Sequence, residues 1–379
     1  MSTGLPDNAL WSVPGAAPTA TSDIAAVTAG GFAVGFPRLL ADVGGTNARF
    51  ALQLRHGGLA ERVNVYACED FPGIAEAIER YLADVGAAQI VYAVIAIANP
   101  VDGDQVSMTN NPWRFSIEAT RARLTLSKLL VVNDFEALAM AVPTLGSDGL
   151  RQLGGGTARA GAAVAVVGPG TGLGVAGLLP VDGRWLPIAS EGGHASFSPC
   201  DERDERVLHY ARRHRQHVSF ERIVSGPGLA LIYTALMADR PAAQAAAAEV
   251  AAAASSQTRA LASTVAAASS EGSVDAAAVV ARAKAGDAIA LEAVDVFCGA
   301  LGTFASNVTL TFGARGGLYI GGGVVLHLGQ LFYGSSFRQR FEDKGRFSEL
   351  LKEVPTFVIV DEFPAFAGAS AILSDAVGR

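Results

Sequence analysis

A strand that runs into a glycine-rich turn carrying a threonine, and returns as a second strand, occurs twice in this chain. The first copy is Leu39-Leu40-Ala41-Asp42-Val43, the turn Gly44-Gly45-Thr46-Asn47, and a strand over Ala48 to Leu54. The second is a strand over Ala162 to Val167, the turn Gly168-Pro169-Gly170-Thr171-Gly172, and a strand over Leu173 to Leu179. One copy stands near the start of each half, so the echo predicts two related α/β domains facing each other across a cleft. Two copies are too few for a solenoid. With 379 residues, 50% of them hydrophobic and 17% charged, the chain has apolar material for two cores.

The pattern between the copies is that of packed α/β structure. Strand-like Arg62 to Ala67 precedes a helix over Ile74 to Val85 with apolar residues at helical spacing. Ile90 to Ile97 is almost wholly apolar, as expected of a strand covered on both faces. A buried strand, Leu129 to Val132, ends at Asn133-Asp134, and a helix over Phe135 to Ala141 follows. The Ala-biased stretch from Met237 to Lys284 reads as surface helices or an insertion. A helix over Ala288 to Phe312, a strand Leu318 to Ile320 entering Gly321-Gly322-Gly323, a strand Thr356 to Val360 and a helix Phe366 to Ala376 complete the chain. Residues 1–37 lack a clear period and read as a flexible extension. The expected division is a small domain over 38–133 plus 363–379 and a large domain over 134–362, the latter with an Ala-rich helical insertion at about 238–285.

Composition narrows the function classes. The net charge is −7 and the pI about 5.4, so the chain as a whole is not drawn to nucleic acid or anionic membrane. Cys68, Cys200 and Cys298 are scattered, with no C-x-x-C pair. That set argues for a reducing compartment, against a disulfide framework or structural zinc, and for three small core residues. The first 37 residues contain no Lys or Arg, so the basic region of a signal peptide is missing. The most apolar stretches, such as Ile90 to Ala98, are of strand length, well short of the roughly 20 residues that span a bilayer. A soluble, cytoplasmic protein is expected. The stretch Arg203 to His217 carries several Arg and His residues, but acids interleave with them and no aromatic platform accompanies them. It reads as a solvated helix face, not a nucleic-acid patch.

The turns carry chemistry. Glycines between two strands let backbone N–H groups approach a polyphosphate with no Cβ in the way, and Thr46 and Asn47 add donors. A carboxylate beside phosphates needs a divalent cation between them, so Asp42 suits a Mg²⁺ partner, directly or through water. No Gly-Lys-Ser/Thr is present and a strand follows the turn, so this is not a Walker A loop. Taken alone, such a turn is equally a plain hairpin. Gly170-Thr171-Gly172 and Gly321-Gly322-Gly323 change the balance, since two hairpins can clamp one triphosphate and the third cluster leaves room for adenosine against bare backbone. Asn133-Asp134 ends a buried strand, where ligands bind in α/β sheets. A carboxylate there can accept the proton of an alcohol during phosphoryl transfer, although Asp134 can equally be the N-cap of the following helix. Glu191, His194 and Glu221 supply acceptors and an imidazole suited to adjacent sugar hydroxyls. Singly, His194 reads as a structural histidine and Glu221 as a surface acid.

Together these blocks closely resemble the bacterial glucokinase family. The resemblance rests on residues 39–52, Met108-Thr109-Asn110-Asn111-Pro112-Trp113, Asn133-Asp134-Phe135, Gly170 to Gly174, Glu191-Gly192-Gly193-His194, Glu221 to Gly228 and Phe341 to Phe347, in that order. It implies a two-domain, actin-like (ribonuclease H-like) ATPase fold with ATP and Mg²⁺ in the interdomain cleft, and conversion of D-glucose to glucose 6-phosphate. By position Asp134 matches the family's catalytic base on the sugar 6-hydroxyl. Asn133, Asp134, Glu191, His194 and Glu221 match its glucose site, and Ala41, Asp42, Val43, Gly44, Gly45 and Thr46 its nucleotide-binding turn. Ala41 stands where relatives often carry Gly. The related ROK sugar kinases follow a similar Glu-Gly-Gly-His block with a Cys-rich zinc motif, which is missing here. A homodimer accords with the resemblance. A kinase for another hexose, a non-enzymatic ATP switch of the same superfold and a sugar-responsive regulator remain as alternatives.

Overall fold

The computed structural model describes residues 35–87, 89–238 and 274–378. The expected flexible extension lies outside the described residues over 1–34, and the Ala-rich insertion over 239–273.

The sequence echo extends to whole sheets. The first half forms β1 (Arg38–Val43), β2 (Asn47–Gln53), β3 (Ala60–Ala67), β4 (Tyr92–Ile97), a small hairpin of β5 (Gln105–Ser107) and β6 (Arg114–Ser116), and β7 (Lys128–Asn133). The second half forms β8 (Leu150–Leu153), β9 (Val164–Pro169), β10 (Leu173–Val181), β11 (Arg184–Ser190), β12 (Leu318–Ile320) and β13 (Thr356–Ile359). The main sheets run β3-β2-β1-β4-β7 and β11-β10-β9-β12-β13-β8. Each therefore has an antiparallel three-stranded meander joined to two parallel strands, and β8 extends the second. Val43, Ile97 and Asn133 share one row, and so do Val167, Ile320 and Val358. The residues that follow these rows, among them Gly44, Asp134, Gly168 and Gly321, thus emerge at the carboxyl edges of the two sheets, the edge that binds ligands in such folds.

Two helices join the sheets. Asp134–Ala141 packs Leu138 and Met140 against Val164, Val166, Ala176 and Leu178 of the second sheet. Pro364–Val377 packs Phe366, Ala369 and Leu373 against Leu40, Ala51 and Val94 of the first. The helices touch at Gly368, where a Cβ would lie 1.6 Å from the Ala137 carbonyl oxygen, so only glycine permits this backbone approach.

Two expectations need correction. The longest apolar stretch is helical, not of strand length: Ala288–Phe312 has a mean hydropathy of 1.6 in its most apolar window, and 72% of that window is buried inside the protein. It is the core helix of the second half, with Phe297, Leu301 and Phe304 fully enclosed. Cys68 and Cys298 are buried, but Cys200, in the loop just before the N-cap of helix Glu202–Arg212, is exposed. The helix Glu202–Arg212 has Val207, Leu208 and Ala211 buried, while His209, Arg212, Arg213, His214, Arg215 and His217 are exposed, in keeping with the solvated face expected, and Arg203 pairs with Asp295 at 2.9 Å.

Candidate active site

The first glycine turn is shaped by its neighbours. A Cβ on Gly45 would lie 2.7 Å from that of Asn110, and the Asn111 side chain donates to the Gly44 carbonyl at 3.1 Å. Asn111 also accepts from the Trp113 N–H, and the Trp113 ring is buried. The 108–113 block, to which the sequence reading gave no role, is therefore the buttress of the turn. Within the turn the Gly44 N–H donates to the Asn47 carbonyl, while no protein acceptor among the described residues takes the Gly45 or Thr46 N–H. The second turn behaves alike. Gly170 N–H donates to the Gly172 carbonyl, and the Gly170 carbonyl accepts from Gly226. The Thr171 and Gly172 N–H groups have no protein acceptor among the described residues. Each turn thus offers two adjacent uncommitted amides, the kind of concavity that holds phosphate oxygens.

Gly322 also answers a packing demand. Its φ is +86°, and a Cβ would lie 2.3 Å from the Pro169 carbonyl oxygen, so close packing of the second sheet already demands glycine. Gly321, Gly322 and Gly323 nevertheless line a cleft of about 290 Å³ together with Asp42, Arg49, Asp134 and Phe135. This cleft brings the first turn's acid, the candidate base and the third glycine cluster into one space.

The N-cap falls on Asn133, not on Asp134. The Asn133 side-chain oxygen accepts from the N–H groups of Phe135 and Glu136, and Glu136 returns a bond to the Asn133 N–H, completing a capping box. One Asn133 amide hydrogen goes to the Asn99 carbonyl, which leaves one for a ligand. Asp134 is freed by this arrangement; one of its oxygens accepts from the Phe135 N–H. Burial pushes its pKa up to about 7, with smaller contributions from the negative charges of Asp42 and Glu191. Asp42 is also raised by burial, while Arg49, paired to it at 2.9 Å, opposes the rise. Sequence reading missed Arg49, although an arginine two residues past a metal-suited turn was visible.

On the second sheet's side, His194 Nε2 lies 3.9 Å from carboxylate oxygens of both Glu191 and Glu221. Glu191 and His194 are exposed, whereas Glu221 is mostly covered and accepts a bond from the Leu173 N–H at 3.1 Å. Glu191 is near enough for its charge to act on Asp134, and His194 and Glu221 stand with it, beside the 290 Å³ cleft but not among its lining residues. Asp42 is the residue of this set suited to a metal. No group of three or more His, Cys, Asp or Glu that could hold a metal ion occurs among the described residues, so Mg²⁺ would have to take most of its ligands from phosphate and water, as that ion commonly does.

Comparison with known proteins places this geometry in context. A family model described as Glucokinase matches residues 39–376. The bifunctional protein glk of Paraburkholderia xenovorans (strain LB400) is 54% identical over 89% of this chain, but the match covers 49% of the relative. The chain thus spans about half the length of the curated relatives of this kind. The glucokinase of Chromobacterium violaceum is 46% identical, with 90% of each chain covered. Among solved structures, a glucokinase from an Antarctic psychrotroph superposes with a TM-score of 0.74 at 32% identity, covering 89% of this chain and 99% of that one. The fold expected from the sequence, the two-domain actin-like ATPase fold, is borne out by this likeness. A match that runs through both sheets and every block around the cleft shows that the chain belongs to the glucokinase family.

Proposed function

We propose that this chain transfers the γ-phosphoryl group of ATP to the 6-hydroxyl of D-glucose, with Asp134 as general base. The observation that carries the reading is Asp134 itself. It stands at the carboxyl edge of the first sheet, released from capping by Asn133, with a pKa pushed up to about 7. A carboxylate so tuned is a stronger proton acceptor than an ordinary one and is still ionised in good part at neutral pH.

The remaining residues fit around that step. Glu191, His194, Glu221 and the free Asn133 amide hydrogen engage sugar hydroxyls. The amides of Gly45 and Thr46 from one sheet and Thr171 and Gly172 from the other hold phosphate oxygens. Asp42 would hold Mg²⁺, which supplies charge neutralisation on the phosphates. Asp134 takes the hydroxyl proton as the sugar oxygen bonds to phosphorus, the bond to the β-phosphate oxygen breaks, and ADP leaves. The bodies that close over the sugar are 38–133 plus 363–379 and 134–362; closure excludes water, which would otherwise accept the phosphoryl group. A cytoplasmic site of action, where ATP and glucose meet, and a homodimer belong to the same reading.

The test is phosphoryl transfer by purified protein with ATP, Mg²⁺ and a panel of hexoses, detecting each sugar phosphate directly. Glucose 6-phosphate formed with glucose clearly preferred is the expected result. ATP binding without phosphorylation of any sugar would overturn the reading.

A further inference from the structure

Strand β4 lies between β1 and β7 in the first sheet. Its Ile97 stands level with Val43 on one side and with Asn133 on the other. The chain that continues past Ile97 therefore runs between the first glycine turn and the Asn133-Asp134 pair. Asn99, half-buried, lies two residues beyond that row, and Pro100 after it narrows its backbone choices.

Asn99 bonds in both directions. Its backbone carbonyl accepts from the Asn133 side-chain N–H₂ at 3.3 Å. Its side chain makes three bonds to the segment 107–109. The N–H₂ donates to the Ser107 carbonyl at 3.1 Å and to the Thr109 hydroxyl at 2.8 Å, and the oxygen accepts from the Thr109 N–H at 2.8 Å. Two residues further on, Asn111 donates to the Gly44 carbonyl at 3.1 Å, and Asn110 packs against Gly45. Met108 and Trp113 root this loop in the core, but Thr109 and Asn110 between them are exposed, so polar bonds decide where they stand. The loop is thus tied at one end to Asn99 and at the other to the phosphate turn.

The Asn133 amide is constrained in the same way. Its oxygen is held by the Phe135 and Glu136 N–H groups and one of its hydrogens by the Asn99 carbonyl, so the direction of the last hydrogen follows from the plane of the group. We infer that Asn99 is a positioning residue for both substrates. Its carbonyl aims the free Asn133 N–H at the sugar, and its side chain holds the loop that shapes the phosphate turn. An amide suits the role because it carries two donors and an acceptor on one planar group. The inference rests on the kinase reading above, which supplies the two ligands.

Calorimetric titration of the full chain with glucose and, separately, with MgADP tests the role. Asn99→Ala is expected to weaken glucose binding about fivefold and MgADP binding about threefold. Asn111→Ala, at the far end of the loop, is expected to weaken MgADP about threefold and to leave glucose within about twofold. In the double variant the MgADP losses should not multiply, because both substitutions cut one chain of contacts. A residue that merely supported the fold would lower Tm and leave both dissociation constants unchanged well below it. If Asn99→Ala does not fold, Thr109→Val and Thr109→Ser decide. Val removes the hydroxyl and is expected to weaken both ligands about twofold, whereas Ser keeps it and is expected to restore the parent values. Parent-like binding of both ligands by Asn99→Ala or by Thr109→Val, or MgADP losses that multiply in the double variant, overturns the inference and leaves the kinase reading standing. A parent chain that binds neither glucose nor MgADP overturns the kinase reading and this inference with it, and that result appears before any substitution is made.

Discussion

The carboxylate of Glu221 accepts a hydrogen bond from the backbone N–H of Leu173 at 3.1 Å, and so fastens a candidate sugar ligand to the end of the second glycine turn. The contact is tight, since a Cβ on Gly172 would lie 2.6 Å from the same oxygen. If Glu221 acted on the sugar alone, its removal would leave ATP untouched. The hydrogen bond ties Glu221 to the second glycine turn as well. Glu221→Gln keeps an acceptor for Leu173 and is expected to raise the KM for glucose about tenfold, with the KM for ATP within about twofold. Glu221→Leu, which leaves the Leu173 N–H without a partner, should raise the KM for ATP about fivefold as well. Steady-state kinetics with each substrate varied separately measure the difference. An unchanged ATP KM in Glu221→Leu would break the link.

Asp134 as base has a pH signature. Its pKa is pushed up to about 7, mainly by burial, and only the ionised form accepts a proton. The value of kcat/KM for glucose should therefore fall about tenfold for each pH unit below 7. In Asp134→Asn the fall should vanish, with kcat lowered about 10²-fold or more and glucose binding, read by calorimetry, within about threefold. A variant with near-normal turnover would remove Asp134 from the role.

Why some of this was legible in sequence and some not follows from the range of the forces involved. The hairpins at 44–47 and 170–172 announce themselves because the turn residues are local and the flanking strands are apolar. The strand Leu318–Ile320 and the helix Ala288–Phe312 stand as read for the same reason. The edge strand β11, Arg184–Ser190, was not read, because its residues alternate weakly and its pairing to β10 comes from chain neighbours, not from its own pattern. The contacts that were missed act through space. Asn111 bonds to Gly44 across 67 positions, and Leu173 meets Glu221 across 48. Whether Asp134 caps the helix or is free for chemistry was open in sequence, because Asp caps well. Only the backbone of the strand end, with Asn133 at φ −69° and ψ 144°, settles it.

The raised pKa of Asp134 also bears on stability. The folded state holds the Asp134 proton more tightly than the unfolded chain does. The stability this provides is complete below the ordinary carboxylate pKa near 4 and is lost as pH rises through about 7. Asn cannot ionise, so Asp134→Asn escapes that loss. Scanning calorimetry should find Asp134→Asn about 2–4 °C more stable than the parent at pH 8, with the gap closing toward pH 4. A gap that is constant with pH would mean that the carboxylate is not desolvated in the folded protein.

Phe135, the residue after the candidate base, lies across the strands that flank the second glycine turn. A Cβ on Gly174 would lie 1.9 Å, 2.0 Å and 2.4 Å from three atoms of its ring, and one on Gly168 would lie 2.8 Å from it. The ring thus holds the start of helix Asp134–Ala141 flat on the β9–β10 hairpin, and through that helix it holds Asp134. Gly174→Ala has no room unless Phe135 moves. Overpacking of this kind costs about 1–3 kcal/mol, and moving the ring swings the carboxylate beside it. The variant is expected to lower Tm and to reduce kcat more than it raises either KM. Shortening the ring should relieve the clash, so Gly174→Ala combined with Phe135→Leu should recover at least half of the lost stability, a coupling that a double-mutant cycle reads directly. Additive losses in the pair would show that the ring and the hairpin do not press on one another.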